Sequence, residues 1–498
     1  MEIISWNFLY FSSISIIIYY FLSRRAQNIW LCGVSYFFYS TWSWTFPVTL
    51  AIVTIINYKI ALRISKGFAE RKKTWLLIGL TTNICALLIF RLIDNPEFFY
   101  TAFHLVGNNT NVLKDVILPI GFSFYCLQGI SYLVDVAKFR YRAEEDFVDF
   151  ALYMSFFPKL VAGPIERANS FLSQLKRRRI VDNEKIESGL SQILIGLFRK
   201  IVIAGLLLAS LPNNLLALPV ENTHPVFGLL SFPFFYFKDS APYSFRLFGI
   251  IGYAIYLYND FAGYSGIARG ISDLLGIKIT ENFRQPFLAH SFIDFWNRWH
   301  ISLSNWLRDY IYYPLTRSLL KTNKNAPNFL NLCIPPIITM LVSGFWHGLF
   351  PALILWGLLN GVILASEHII FRKLLFLNPK NKSRYKNLLP SFAVFILTVL
   401  LFVPFATKSL PITFAFWKVL LKGSRQPLYG DLSYFLFTLP VTSFVLDYLQ
   451  NQSKETVFFK YWPYFAKACI FIIVLMSIAI AAVWTLGSIS KQFIYQGF

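Results

Sequence analysis

With 498 residues, 56% hydrophobic, 18% aromatic and only 14% charged, the chain has little more than half of the roughly 25% charge typical of soluble domains. An ordinary water-soluble enzyme, a disordered chain and a fibrous one are excluded, and a mean hydropathy of +0.52 leaves a polytopic membrane protein. The formal net charge of +21 is gathered in short clusters between apolar runs, at Arg24-Arg25, Arg71-Lys72-Lys73, Lys176 through Arg179 and Arg372-Lys373. Cytoplasmic loops look like this under the positive-inside rule, and no basic motif of a nucleic-acid-binding fold accompanies them.

A crossing helix needs about 20 mostly apolar residues. Such stretches run at 3–22, 28–45, 46–64, 74–91, 115–134, 189–217, 246–263, 330–347, 351–371, 388–406, 432–448 and 465–486. Weaker apolar pieces lie at 147–163 and 226–238. The expectation is an all-α polytopic membrane protein of about 10–13 transmembrane helices with re-entrant or interfacial helices, in one membrane domain over 1–498. The first stretch lacks a basic leading segment and an A-x-A site and is followed by Arg24-Arg25, so it reads as an uncleaved anchor with its N-terminus outside. Two passes then reach the basic loop Lys59–Lys73, and two more reach Lys138–Arg142. Only 147–163 separates Arg140 from Lys176–Arg179, although both belong on the cytoplasmic side. Pro158 and Lys159 are costly in a straight spanning helix, so this piece is expected to be re-entrant or broken, as only a protein-lined cavity tolerates.

Cys32, Cys85, Cys126, Cys333 and Cys469 stand singly in apolar stretches, without a C-x-x-C, which indicates neither a zinc site nor a disulfide framework. Gly263-Tyr264-Ser265-Gly266 reads as a helix break. The run Asp294-Phe295-Trp296-Asn297-Arg298-Trp299-His300 through Tyr313-Pro314 is too polar for a lipid-facing span and too apolar for a loop. Asp294 and Arg298 stand one helical turn apart, as do His300 and Ser304, which predicts one amphipathic helix at the interface. Trp296, Trp306, Tyr310, Tyr312 and Tyr313 read as an aromatic belt.

Residues 325–366 contain no Asp, Glu, Lys or Arg, with Lys321 and Lys324 before them and Arg372 and Lys373 after. That length and bracketing predict a hairpin of two passes. Besides Cys333 its one titratable side chain is His347, in Ser343-Gly344-Phe345-Trp346-His347-Gly348, where Gly344, Gly348 and Pro351 mark a helix break. An ionisable group at such depth is a functional candidate by default; the alternative is a neutral histidine hydrogen-bonded to a neighbouring helix. His104 and His224 lie in hydrophilic connections, and His290 and His368 lie at element ends, all four read as unremarkable. There is no Gly-rich phosphate loop, G-x-S-x-G or H-E-x-x-H.

These stretches resemble the membrane-bound O-acyltransferase (MBOAT) superfamily, in particular the bacterial branch of alginate O-acetyltransferase and the teichoic acid D-alanyl transferase. The strings that carry the resemblance are Leu118-Pro119-Ile120-Gly121-Phe122-Ser123-Phe124, Phe156-Phe157-Pro158-Lys159-Leu160-Val161-Ala162-Gly163-Pro164-Ile165, Gly196-Leu197-Phe198-Arg199-Lys200, Asp260-Phe261-Ala262-Gly263-Tyr264-Ser265, Glu281-Asn282-Phe283, the run Asp294 to Pro314, and Trp346-His347-Gly348. They mark a core over 115–365, and the region 388–498 resembles the longer, polysaccharide-acetylating type. Where the alginate type usually has a Gly-Gly pair, Thr316-Arg317-Ser318 follows Tyr313-Pro314-Leu315, which leaves the acceptor open.

The resemblance implies a ring of tilted helices around a central tunnel, in the inner, cytoplasmic membrane. It implies transfer of an acyl group, expected to be acetyl, from a cytoplasmic thioester to hydroxyls of an extracytoplasmic polysaccharide, as in alginate biosynthesis. The donor is a co-substrate, acetyl-CoA or an acyl carrier protein, with no bound cofactor and no metal. His347 matches the near-invariant family histidine and His300 the second one. As imidazole is the side chain whose unperturbed pKa lies nearest neutrality, His347 is expected to act as general base, with His300 orienting the donor or stabilising the oxyanion. Arg298 reads either as a contact to the donor's phosphates or as a snorkelling cation, and Trp299, Ser302, Asn305, Arg308, Asp309 and Trp346 are further substrate- or donor-binding candidates. Expected partners are the lipid bilayer, an extracytoplasmic SGNH-type acetyltransferase and a carrier protein, with no nucleic acid. The rival readings are D-alanyl transfer to a teichoic-acid-like polymer, a transporter or flippase for a glycan or lipid-linked substrate, and a non-catalytic scaffold.

Overall fold

The computed structural model describes residues 1–94, 119–180, 183–210, 243–322, 328–374, 388–422 and 435–485, whose regular structure is helical throughout. His104, His224, Leu118 and the apolar piece 226–238 lie outside the described residues. Among the described residues, seven helical segments are long and apolar enough to cross a membrane: Thr45–Lys66, Glu70–Ile93, Asn183–Ala209, Leu330–His347, Pro351–Ile369, Pro390–Thr407 and Tyr464–Val483. The protein is an all-α polytopic membrane protein. Two compact units divide it, Met1–Leu197 with Gly263–Glu281, and Phe198–Ala262 with Asn282–Lys491.

The first unit contains α1 (Trp6–Tyr20), α2 (Arg24–Ser40), α3 (Thr45–Lys66), α4 (Ala69–Asp94), α5 (Phe122–Ala137), α6 (Phe147–Ser155), α7 (Ala168–Leu175), α8 (Asn183–Leu197) and the C-terminal part of α9 (Tyr243–Leu274). Its basic connections converge at one end. Lys72 Nζ lies 4.2 Å from the Phe139 ring centre. Arg25 pairs with Asp146 and sits 3.5 Å from Asp149, which also takes Lys176 at 3.2 Å. The two ends of 140–176 therefore lie on the same side, and the piece between them is broken as expected. Helix α6 stops at Phe156, one turn follows over Phe157–Leu160, and the Phe157 N–H freed by the break donates to Ser35 Oγ at 3.0 Å. Lys159, 3% exposed, donates to Gln128 Oε1 at 2.6 Å and to the Tyr153 carbonyl at 2.7 Å. Gly121, at φ +77°, lies so close to this turn that a Cβ would stand 2.3 Å from the Leu160 carbonyl oxygen. Only glycine permits both that backbone and that approach.

The expected break at Gly263–Gly266 does not occur, because α9 runs unbroken from Tyr243 to Leu274. Its glycines serve helix packing instead. A Cβ on Gly196 would meet the Gly263 carbonyl oxygen at 2.7 Å, and one on Gly270 would meet that of Gly189 at 2.5 Å. Small residues let apolar helices approach closely where lipid offers no hydrophobic drive.

In the second unit, α8 continues through a π-helical turn, Phe198–Gly205, to Ser210. There follow α10 (Phe292–Arg298), α11 (Ile301–Leu307), a π turn over Arg308–Tyr312, α12 (Tyr313–Thr322), α13 (Asn328–His347), α14 (Pro351–Leu374), α15 (Leu388–Thr407), α16 (Leu410–Lys422), α17 (Phe435–Ser453) and α18 (Tyr464–Thr485). The uncharged stretch forms the expected hairpin, α13 and α14. A Cβ on Gly357 would meet the Met340 carbonyl oxygen at 2.4 Å, and one on Gly361 the Ile337 Cα at 2.6 Å. That close seam, from a Gly-x-x-x-Gly spacing, fixes the tip of the hairpin where His347 sits.

The π turn of α8 carries two buried cations. Arg199 donates to Asp447 of α17 at 2.5 Å, to Gln450 at 2.9 Å and to Asn259 of α9 at 2.9 Å, while Lys200 pairs with Asp260. Tyr258 adds a hydroxyl to Asp447 at 3.0 Å.

Candidate active site

The run 291–316 corrects the expectation of one amphipathic helix. It breaks at Trp299–His300 into α10 and α11. Asp294 and Arg298 pair across one turn, at 2.8 Å. Ser304 stands one turn after His300 as expected, its N–H donating to the His300 carbonyl at 2.9 Å and its Oγ to the Trp299 carbonyl at 2.9 Å, which makes His300 the cap of α11. Its φ of +42° is uncommon outside glycine and costs on the order of 1–3 kcal/mol, so the surroundings must impose it. Asn282, fully buried, does so. Its carbonyl accepts from Ile301 N–H at 2.9 Å and its Oδ1 from Ser302 N–H at 3.3 Å.

The strain turns His300 into the protein, where it is 1% exposed. Its ring stands 4.9 Å from that of Phe261 and 6.2 Å from that of Trp346, both edge-on. Trp346 in turn lies 4.7 Å from His347, so one indole joins the two histidines. His347, 6% exposed, is walled by Trp356 of α14 at 5.2 Å and Phe405 of α15 at 5.0 Å, both nearly perpendicular to its ring. Both imidazoles and Trp346 thus come together at the hairpin tip.

Burial lowers the His300 pKa to about 3, because desolvation disfavours imidazolium. It is neutral wherever the protein works. Its unfolded form takes up protons near the ordinary value of about 6.5, so its contribution to stability is complete above that pH and declines as pH falls toward 3. We expect His300→Gln to leave the shape of the pH–rate profile between about pH 5 and 8 unchanged and to lower turnover by less than ~10²-fold. Steady-state rates across that range check this; an unaltered rate removes His300 from the site.

The other candidates divide. Arg308 reaches Asn305 at 2.6 Å and Asn297 at 3.4 Å, a polar group beside the π turn that also holds Asp309. Arg298 is engaged by Asp294. Trp299 is buried among Phe283, Phe295 and Phe402, at 5.1, 5.6 and 5.3 Å, and Ser302 is buried at the start of α11. His290 bonds Ser391 at 2.6 Å. No group of three His, Cys, Asp or Glu among the described residues is placed to hold a metal.

Three supporting residues escape the reading of the sequence. Glu367 of α14 accepts from the N–H groups of Phe292 and Ile293, at 2.9 and 2.6 Å, and so ties the start of α10 to the hairpin through the favourable placement of an anion at a helix N-terminus. Asp447 and Ser343 are the others. A lone carboxylate inside an apolar stretch is a signal for Asp447; the remaining two carry none of comparable strength.

The sequence profile of the MBOAT, membrane-bound O-acyltransferase family matches residues 31–404. The probable alginate O-acetylase AlgI of Pseudomonas aeruginosa is 32% identical over 440 residues, covering 87% of this chain and 77% of that protein. The peptidoglycan O-acetyltransferase of Helicobacter pylori is 33% identical, covering 73% of this chain and 70% of its own. The teichoic acid D-alanyltransferase of Bacillus subtilis is 28% identical, covering 50% and 59%.

Proposed function

Since this chain belongs to the membrane-bound O-acyltransferase family, we propose that it moves an acetyl group from a cytoplasmic thioester to hydroxyls of an extracytoplasmic polysaccharide. The protein is an O-acyltransferase embedded in the membrane. The observation that carries the finer reading is the pair of buried imidazoles joined by Trp346, one of them at the tip of an uncharged hairpin. A hydroxyl is a poor nucleophile at neutral pH, and a base that takes its proton during attack contributes roughly 10²–10⁴-fold. His347 is that base. His300, neutral and fixed by Asn282, orients the thioester.

The donor is acetyl-CoA or an acylated carrier protein, used as a co-substrate, with no resident cofactor. It enters at the cytoplasmic face of the inner membrane. The cluster of Arg308, Asn305 and Asn297 meets its polar end, and Arg298 can turn from Asp294 toward its phosphates. A tunnel ringed by helices carries the acyl group to the outer face. An SGNH-type acetyltransferase completes delivery to the polymer. The names of the alginate and peptidoglycan relatives support a polysaccharide as the acceptor class. The similarity to a D-alanyltransferase favours D-alanyl transfer as the second reading. Mass analysis of surface glycans from cells with and without the protein decides between them. Ester-linked acetyl that depends on the protein supports the first reading, ester-linked D-alanine supports the second, and identical glycans contradict both.

A further inference from the structure

Hydroxyls on the apolar helices of this chain are commonly satisfied by their own backbone. Ser35 donates to the Leu31 carbonyl at 2.6 Å, Thr398 to that of Val394 at 2.8 Å, and Thr339, on α13, to that of Pro335 at 2.6 Å. This bond to the carbonyl four residues back is the local solution open to serine and threonine in a helix. Ser343 departs from it, as Ser191 of α8 also does. One turn after Thr339 and one turn before His347, it is fully buried at 0% exposure, and its Oγ has no hydrogen-bond partner among the described residues. A buried hydroxyl left this way is rare, because nothing offsets its desolvation. Residues four apart share a helix face, so Ser343 and His347 present a donor and a base side by side.

Resting on the acyl-transfer reading above, we propose that Ser343 Oγ–H is the donor that receives the carbonyl oxygen of the acyl group during transfer. As the acceptor oxygen bonds to the carbonyl carbon, its proton passes to His347. The π electron pair of the carbonyl moves onto oxygen and is held by the Ser343 hydrogen bond. Collapse restores the carbonyl and breaks the carbon–sulfur bond. The departing thiolate takes the proton from His347, giving ester and free thiol. A donor fixed by helix packing and shielded from water acts on charge that develops only in the transition state, so it raises the rate rather than the affinity. Ser343 is then a catalytic residue, and His300 is left to orient the thioester.

The test uses the full chain in membranes, with [14C]acetyl-CoA and an acetylated carrier protein as probes and thiol release as the readout. Ser343→Ala is expected to lower kcat by ~10²–10³-fold with KM changed by less than about threefold. Its unfolding midpoint should be unchanged or raised, since the variant removes a buried hydroxyl that lacked a partner. Thr339→Val, which removes a hydroxyl already bonded to its own helix, should keep the parent kcat. A folded Ser343→Ala with undiminished kcat overturns the assignment, and so does a kcat loss that comes with a lowered midpoint, which marks a packing role. A parent protein that consumes neither thioester overturns the acyl-transfer reading itself; an active parent with an active Ser343→Ala overturns only the role of Ser343.

Discussion

His347→Ala should bind the thioester donor as the parent does and lose acyl transfer, with kcat reduced by ~10²–10⁴-fold, the range that a positioned general base supplies. The imidazole is walled by Trp346, Trp356 and Phe405, so truncation also leaves a gap among large rings, and a packing defect could be mistaken for lost chemistry. His347→Gln separates the two. Glutamine fills most of the space and keeps a polar end, yet cannot take a proton at neutral pH. The close glycine contacts of Gly344, Gly357 and Gly361 hold the hairpin tip through main-chain atoms, so its backbone should survive both changes. Both variants should therefore be inactive and folded. Donor binding by equilibrium dialysis beside thiol release checks this, and near-normal turnover in His347→Gln eliminates the base role.

Asp447→Ala should cost about 3–5 kcal/mol of stability, the usual effect of stranding one member of a buried ion pair. Its partner Arg199 is almost wholly buried and would keep the neutral oxygens of Asn259 and Gln450 and the Tyr258 ring, 5.1 Å away, but no anion. The guanidinium cannot shed its charge to escape the penalty. Removing both charges should be far milder, because an apolar pair of similar volume is often neutral or stabilising in such a place. Arg199→Met with Asp447→Leu is accordingly expected to recover most of the loss, a non-additivity that a double-mutant cycle measures. Unfolding in detergent, followed for the two single variants and the double variant, checks the ordering. Equal and additive losses would mean that the pair contributes through shape rather than charge.

Much of this architecture is legible because a membrane forces apolar length and charge placement into the sequence. The convergence of Arg25, Lys72 and Lys176 at one end of the first unit follows from charge counting alone, and so does the broken piece around Pro158. The uncharged stretch 325–366 announces its hairpin in the same way. What stays hidden depends on backbone geometry. The break at Trp299–His300 is imposed by Asn282 from outside the run, and no spacing within the run records it. Gly263 and Gly266 misread as a break because glycine serves both helix ends and close helix contact, and only the facing Gly196 decides between the two. Ser343 is invisible for a related reason: whether a helical serine bonds its own backbone is a matter of rotamer, which composition does not encode. The pairing of His347 with His300 through Trp346 likewise needs the fold, since forty-odd residues of chain separate them.

Sealed proteoliposomes carrying the full chain give the sharpest trial. Labelled acetyl-CoA is supplied on one face and a hydroxyl-bearing glycan, with and without the proposed SGNH-type acetyltransferase, on the other. With the parent protein, label should leave the thioester and appear as glycan ester, and with His347→Gln neither should happen. Label transfer that persists without the imidazole, or glycan that crosses the bilayer while the thioester stays intact, would contradict that expectation.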